Sequence, residues 1–425
     1  MLPGMMKWYS RRDFVRLSAA GVFAPTLSGW LPVLANAAPQ GGKGKARACI
    51  LLWMDGGPSH KDTFDPKPDS KGAGEFKPIA TKVPGVYISE HLPKIAQTLD
   101  KGVIVRGMTT PEGAHPRAKY YMHTGYREGQ GGIIHPSLGA IVSKEIGDPD
   151  SPMPNYVAIN SRSYGAGFLG PRHQPLLITD PNRGVEDLKA AVSTQQLQRR
   201  LGLLERMERA FYREYDADII RDHHTTYQRA FQLMSSRQAK AFDLSAEPPS
   251  SRSRYGSGRF ADGVLMARRL VEVGVPFVEV SLGGWDTHQN NFERVKALSA
   301  QIDTPIAALI TDLQERGLLD TTLVVWMGEF GRTPHINNRG PNPGRDHYPR
   351  AWSTVMWGGG IRAGGTVGKT DKEGATVIDR PVTAQDFLAT ICELLGIDHT
   401  RQNETPTGRP IRIVEKANPF TSLIT

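Results

Sequence analysis

The sequence predicts an α/β fold: a three-layer sandwich around a mostly parallel central sheet, with a helical insertion. Three observations point there. Short apolar runs recur along the chain without alternating with polar residues, the signature of strands buried on both faces. Helical patterns lie between several of them, and strand–helix alternation of this kind builds a parallel sheet covered by helices. One long segment, Val185 to Leu244, breaks the rhythm and holds no strand candidate. With 425 residues, 39% hydrophobic and 22% charged, the chain has the composition of a folded protein with a large core.

Taken in order, the amino terminus reads "SRRDFVRLSAAGVFAPTLSGWLPVLANAAPQ". Paired Arg11 and Arg12, Phe14, a weakly apolar stretch and the Ala35-Asn36-Ala37 site predict a twin-arginine signal peptide over residues 1–37. Gly21, Pro25, Gly29 and Pro32 would break an ordinary buried helix there. The expected location is periplasmic or extracellular, with the twin-arginine translocation machinery as a partner. Residues 38–46 are a flexible lead-in, and 47–425 form the main domain. Strands are expected at Ala48–Met54, Val103–Met108, Tyr156–Ile159, Phe277–Leu282, Leu323–Met327 and Ser353–Trp357, and helices at Phe260–Val273, Val295–Arg316 and Thr383–Leu395. The insertion, at about 185–245, places Leu197, Leu201, Leu204, Met207 and Phe211 at helical spacing, and its His223 and His224 read as part of a solvated face. The proline- and serine-rich "SAEPPSSRSRYGSGR" returns the chain to the core.

Residues 1–37 carry a net +3, so the remainder holds +6 of the formal +9. That excess suits an anionic substrate, while the absence of a basic run interleaved with aromatics argues against nucleic acid. Beyond the signal no apolar run approaches the ~20 residues that span a bilayer. Cys49 and Cys392 are too few for a disulfide framework or a thiolate metal cage.

Ligands of open α/β sheets bind beyond the carboxyl ends of the strands. Four stretches place charged or imidazole side chains there: Asp55 after "ACILLWM"; Asp286 and His288 in "SLGGWDTHQNNF"; Glu329 in "TLVVWMGEFGRTP"; and Asp346 with His347 in "GRDHYPRAW", before a strand. Each alone reads more readily as a turn, a helix cap or an ion pair than as a ligand. Together they put carboxylates and imidazoles on one rim, the arrangement of a divalent-metal site. A mixed Asp, Glu and His set favours zinc, manganese or iron over calcium or magnesium, as one ion or two.

The ordered set "MDGGPSHKDTFDPKP", "YMHTGY", "LMARRLVEVGVPFVEVSLGGWDTHQNNF", "MGEFGRTP", "GRDHYPRAW" and "FLATICELLGIDHTRQ" resembles the sulfatase-like family known as domain of unknown function 1501, of the alkaline phosphatase superfamily. The resemblance covers nearly all of the chain after the signal and implies an alkaline phosphatase/sulfatase-like fold. It implies metal ligands at Asp55, Asp286, His288, Glu329 and His347, with Phe330 standing where a second acidic-loop ligand is expected. The position of the sulfatase nucleophile, nine residues before Thr124, falls on His115. An imidazole there can ligate metal, act as acid or base, or carry a phosphoryl group. Ser59 is either an alternative nucleophile or a helix cap, and Arg117 and Arg332 are candidates for holding an anionic oxygen. His60 and Asp65 are further candidate ligands, His135 and His173 stand beside prolines as pocket candidates, and His123 is expected to pack under its helix.

The function these residues imply is an exported metal-dependent hydrolase of sulfate or phosphate esters, its substrate a small anionic ester or a sulfated or phosphorylated glycan. The alternative is a non-catalytic periplasmic or cell-surface binding protein on the same fold.

Overall fold

A computed structural model of the protein describes residues 46–420 apart from 187, 189–191 and 215–217. The expected signal peptide and nearly all of the lead-in lie outside the described residues. So do the side chains of His223 and His224.

Among the described residues nine strands form one sheet: β1 (Ala48–Met54), β2 (Gly102–Thr109), β3 (Tyr156–Ile159), β4 (Leu176–Ile178), β5 (Phe277–Leu282), β6 (Thr322–Met327), β7 (Trp352–Gly358), β8 (Gly365–Val367) and β9 (Val382–Thr383). Their spatial order is β8-β2-β7-β6-β1-β5-β3-β4, with β9 also beside β2. Every pairing is parallel except those of β7, which runs antiparallel to β2 and β6. All seven residues of β1 and all six of β6 are buried, as unbroken apolar runs flanked by strands on both sides should be.

The principal helices are α1 (His115–Thr124), α2 (Leu138–Glu145), α3 (Thr194–Glu214), α4 (Asp218–Ser235), α5 (Arg259–Glu272), α6 (Asn291–Glu315) and α7 (Ala384–Leu394). Local chemistry sets several ends. Thr383 and Asp386 make a reciprocal capping box at the start of α7. Gly125 closes α1 in the left-handed conformation, φ 76°. In α3, Leu197, Leu201 and Leu204 are half-buried, whereas Met207, expected on the same stripe, is 65% exposed. Cys49 on β1 and Cys392 on α7 are both buried free thiols of the main core. Among the described residues no helix is long and apolar enough to cross a membrane.

Register is what positions the site. Met54 lies opposite Leu282 in β5, and its neighbour Trp53 lies opposite Met327 in β6. The three strands therefore end together, and the loops that follow them emerge side by side. From β6 the chain crosses this rim through residues 328–351, pairs Gly331–Arg332 with His347–Tyr348, and enters β7 from the same end. That path is why β7 is antiparallel and why His347 precedes its strand instead of following it.

Candidate metal centre

His115 opens α1, with Pro116 in the first turn, where a missing N–H costs nothing. Its Nδ1–H donates to Glu329 Oε1 at 2.6 Å. His288 Nδ1–H donates to Asp346 Oδ1 at 2.7 Å. His347 Nδ1–H donates to the Gly113 carbonyl at 2.8 Å. A carbonyl or carboxylate oxygen can only accept, so these partners fix the tautomer of each neutral ring, leaving a lone pair on all three Nε2 atoms.

Those lone pairs converge. His288 Nε2 is 3.0 Å from His347 Nε2, and Asp286 Oδ1 is 3.1 Å from the former and 3.4 Å from the latter. His115 Nε2, buried and without a hydrogen-bond partner, lies 3.4 Å from Asp286 Oδ2. The ligand atoms of His115, Asp286 and His347 all fall within 4.8 Å of one another, a group that can hold a metal ion. Acceptors facing acceptors at these distances repel unless a cation or a proton lies between them. Imidazoles held from behind by acceptors, beside a carboxylate, are the kind of donor set and outer shell that a transition metal takes, which makes this group a candidate metal site.

Electrostatics favour the same reading. The hydrogen bond to Glu329 raises the pKa of His115 above its ordinary value against the effect of burial, making it a more basic donor. Partial burial pushes Asp286 upward, but the Arg332 guanidinium 2.7 Å away overrides it and brings the carboxyl down to about 2. Burial lowers the pKa of His347, which favours the neutral form of that ring.

Glycines make the close packing feasible. Gly56 has φ +117°, and a Cβ there would sit 2.3 Å from the Asp286 nitrogen; its N–H donates to both Glu329 oxygens at 3.0 and 3.2 Å. A Cβ on Gly344 would meet the His288 carbonyl at 1.7 Å.

Of the candidate residues, His115, Asp286, His288 and His347 come together. Glu329 lies behind them, fully buried, gripping His115 and Gly56. Asp55 is on the same rim, but its carboxylate is ion-paired with Lys119, a residue whose position four after His115 on one helix face could have flagged it. Arg332, fully buried, donates to the carbonyls of Gly57 at 2.9 Å and of Gly56, and backs Asp286. Phe330 packs its ring against His115 and His347, with centroids at 5.0 and 4.7 Å.

The remaining candidates point elsewhere. Ser59 is buried and its Oγ accepts the Asp62 N–H at 3.3 Å, the bond of a turn cap. Arg117 turns outward to Glu112 at 2.9 Å. His60 faces the Gly374 carbonyl, Asp65 pairs with Lys67, His135 stacks on Tyr126, His173 meets Ser143, and His123, on the buried side of α1, packs against Trp53 and Glu279.

Among curated proteins none matches this chain. Several solved structures are similar at low identity. A sulfatase from Pseudoalteromonas sp. is 13% identical, covering 82% of this chain and 68% of that one with a TM-score of 0.40. An alkaline phosphatase superfamily protein from Vibrio parahaemolyticus is 10% identical, covering 92% and 76% with a TM-score of 0.40. The alkaline phosphatase of the Antarctic bacterium TAB5 is 12% identical, covering 83% and 98% with a TM-score of 0.34. The family described as "Protein of unknown function (DUF1501)" matches residues 46–424, and the chain belongs to it.

Proposed function

We propose that this protein is an exported metal-dependent hydrolase of sulfate or phosphate esters. One observation carries the reading: the ligand atoms of His115, Asp286 and His347 lie within 4.8 Å of one another, and His288 Nε2 adds a further nitrogen 3.1 Å from Asp286 Oδ1 and 3.0 Å from His347 Nε2. His115, Asp286, His288 and His347 would hold the ion, and a nitrogen-rich set of this kind favours zinc, manganese or iron over calcium or magnesium. A divalent ion there supplies positive charge against the ester's anionic oxygens and acidifies water.

The chain's own residues do the rest. Glu329, Asp346 and the Gly113 carbonyl hold the three rings in register, and Arg332 keeps Asp286 ionised and aimed. Lys119, paired with Asp55, adds a cation on the same rim for an anionic substrate. His115 bonded to Glu329 and Ser59 locked into a turn are poor nucleophiles, so water is the attacking group and no covalent intermediate accumulates.

The test is elemental analysis of protein purified without added metal, followed by turnover of p-nitrophenyl sulfate and p-nitrophenyl phosphate with Asp286→Ala and His347→Ala as controls. Metal-dependent turnover lost in both variants is expected. Stoichiometric metal without turnover of either ester would overturn hydrolysis in favour of a metal-bearing binding protein. Export rests on Arg11 and Arg12: replacing both by Lys should trap the precursor in the cytoplasm, and normal processing of that variant would contradict the twin-arginine route.

A further inference from the structure

We propose a second anion-binding site, taking one tetrahedral dianion, phosphate or sulfate, free or as a monoester, in the cavity between the end of α2, the turn before β4, and α4. It is separate from the metal centre. Asn155 immediately precedes β3, and His173 lies just ahead of β4, so the cavity opens near the amino ends of these strands. The metal-centre loops follow the carboxyl ends of β1, β5 and β6, to which β3 and β4 are parallel through β5.

The cavity is about 220 Å³ and is lined by Ser143, Lys144, Asn155, Arg172, His173 and Arg229, with Gly147 and Pro149. Three permanent cations thus border one small space. Among the described residues their acceptors are all neutral: Lys144 donates to the Asn403 side-chain oxygen at 2.7 Å, Arg172 to the Pro149 carbonyl at 3.4 Å, and Arg229 to the Arg172 carbonyl. Among the described residues none of the three has a carboxylate partner.

Other arginines of this protein do: Arg316 meets Glu272 at 2.8 Å, and Arg345 meets Asp62 at 2.7 Å. Glu145, the acid next to Lys144 in sequence, is taken by Arg401 at 2.7 Å. Like charges gathered around a cavity without a counter-charge repel one another, and a bound anion removes that repulsion. Arginine forks suit the oxygens of a tetrahedral anion, and a lysine adds a point charge. Ser143 supplies a neutral donor. Its hydroxyl lies 3.1 Å from His173 Nδ1, and the ring is neutral because burial, then Lys144, Arg172 and Arg229, lower its pKa to about 4.

Isothermal titration of the full chain, treated with EDTA so that no metal contributes, tests the site with inorganic phosphate and with glycerol 1-phosphate. One saturable site per chain is expected, weakened at least ten-fold in Arg172→Gln/Arg229→Gln and in Lys144→Gln, and unaffected by Asp286→Ala. Tighter binding of the ester than of inorganic phosphate would assign the anion to a phosphorylated ligand; the reverse order would assign it to the free ion. Absence of saturable binding to the wild-type chain would overturn the proposal. So would binding unchanged in both charge variants, or binding lost in Asp286→Ala. The charge variants should melt no lower than the wild type, since Lys144 and Arg172 are exposed, Arg229 is only half-buried, and each change removes a like charge from the cluster.

Discussion

His288 Nε2 and His347 Nε2 stand 3.0 Å apart with neither able to donate to the other, because each ring spends its proton on the opposite side, on Asp346 and on the Gly113 carbonyl. Two lone pairs so placed repel each other unless a cation or a proton lies between them. On the proposal that a metal ion takes that place, its removal should loosen the rim. Binding at one hundred times the dissociation constant contributes about 2.7 kcal/mol to stability. Chelation is expected to lower the melting temperature by a few degrees, recovered on adding back zinc or manganese; calorimetry with and without EDTA checks it.

Glu329 tests the outer shell. Its carboxylate is fully buried and bonds His115 and Gly56. Glu329→Gln preserves the shape but removes the charge that makes His115 basic. Partners of this kind are worth about 10–100-fold in metal affinity. A competition titration with a chromogenic chelator should show a loss in that range, while circular dichroism stays native.

Arg345 and Asp62 form a bidentate pair, both fully buried, with contacts of 2.7 and 3.1 Å. Arg345 also donates to the carbonyls of Gly72, Thr333 and Pro334, and Asn291 Nδ2 donates to Asp62. This clamp ties together the loops that carry His288 and His347. Asp62→Asn leaves a buried guanidinium uncompensated, a change that costs about 3–5 kcal/mol. Urea denaturation should show a loss of that size; an unchanged midpoint would mean the pair is not buried in solution.

His60 sets an acid limit. It is 1% exposed, and burial lowers its pKa to about 4. Its folded pKa lies below the unfolded value of about 6.5, so on acidification the unfolded chain takes up the proton first. Stability is accordingly full above about pH 6.5, falls as the pH drops through that window, and levels off below about 4, a loss on the order of 3 kcal/mol. Urea midpoints measured at pH 7 and pH 4.5 should differ in the wild type, and differ less in His60→Gln.

The sheet was readable from the apolar runs: the six expected strands match β1, β2, β3, β5, β6 and β7 within a residue or so. The three others, β4, β8 and β9, are two or three residues long and lie at or near the sheet's edges, too short for a periodicity to register. The strand-end rule likewise pointed to Asp286, His288 and His347. What it could not distinguish is which side chains face the Asp286–His347 cluster and which stand behind it. Asp55 and Glu329 have the same residue chemistry as ligands, and only the third dimension shows the first facing Lys119 and the second facing His115. The choice of tautomer depends on the Gly113 carbonyl and on Asp346, partners separated in sequence from their rings by packing alone in the first case.

The most direct measurement is the metal content of the wild-type chain beside Asp286→Ala and His347→Ala, each purified without chelator and assayed by inductively coupled plasma mass spectrometry. A near-stoichiometric transition metal in the wild type, sharply reduced in both variants, is the predicted result. Wild-type protein that stays metal-free even after incubation with zinc, manganese and iron(II), or variants that retain metal at the wild-type level, would contradict the assignment of His115, Asp286, His288 and His347 as the metal centre.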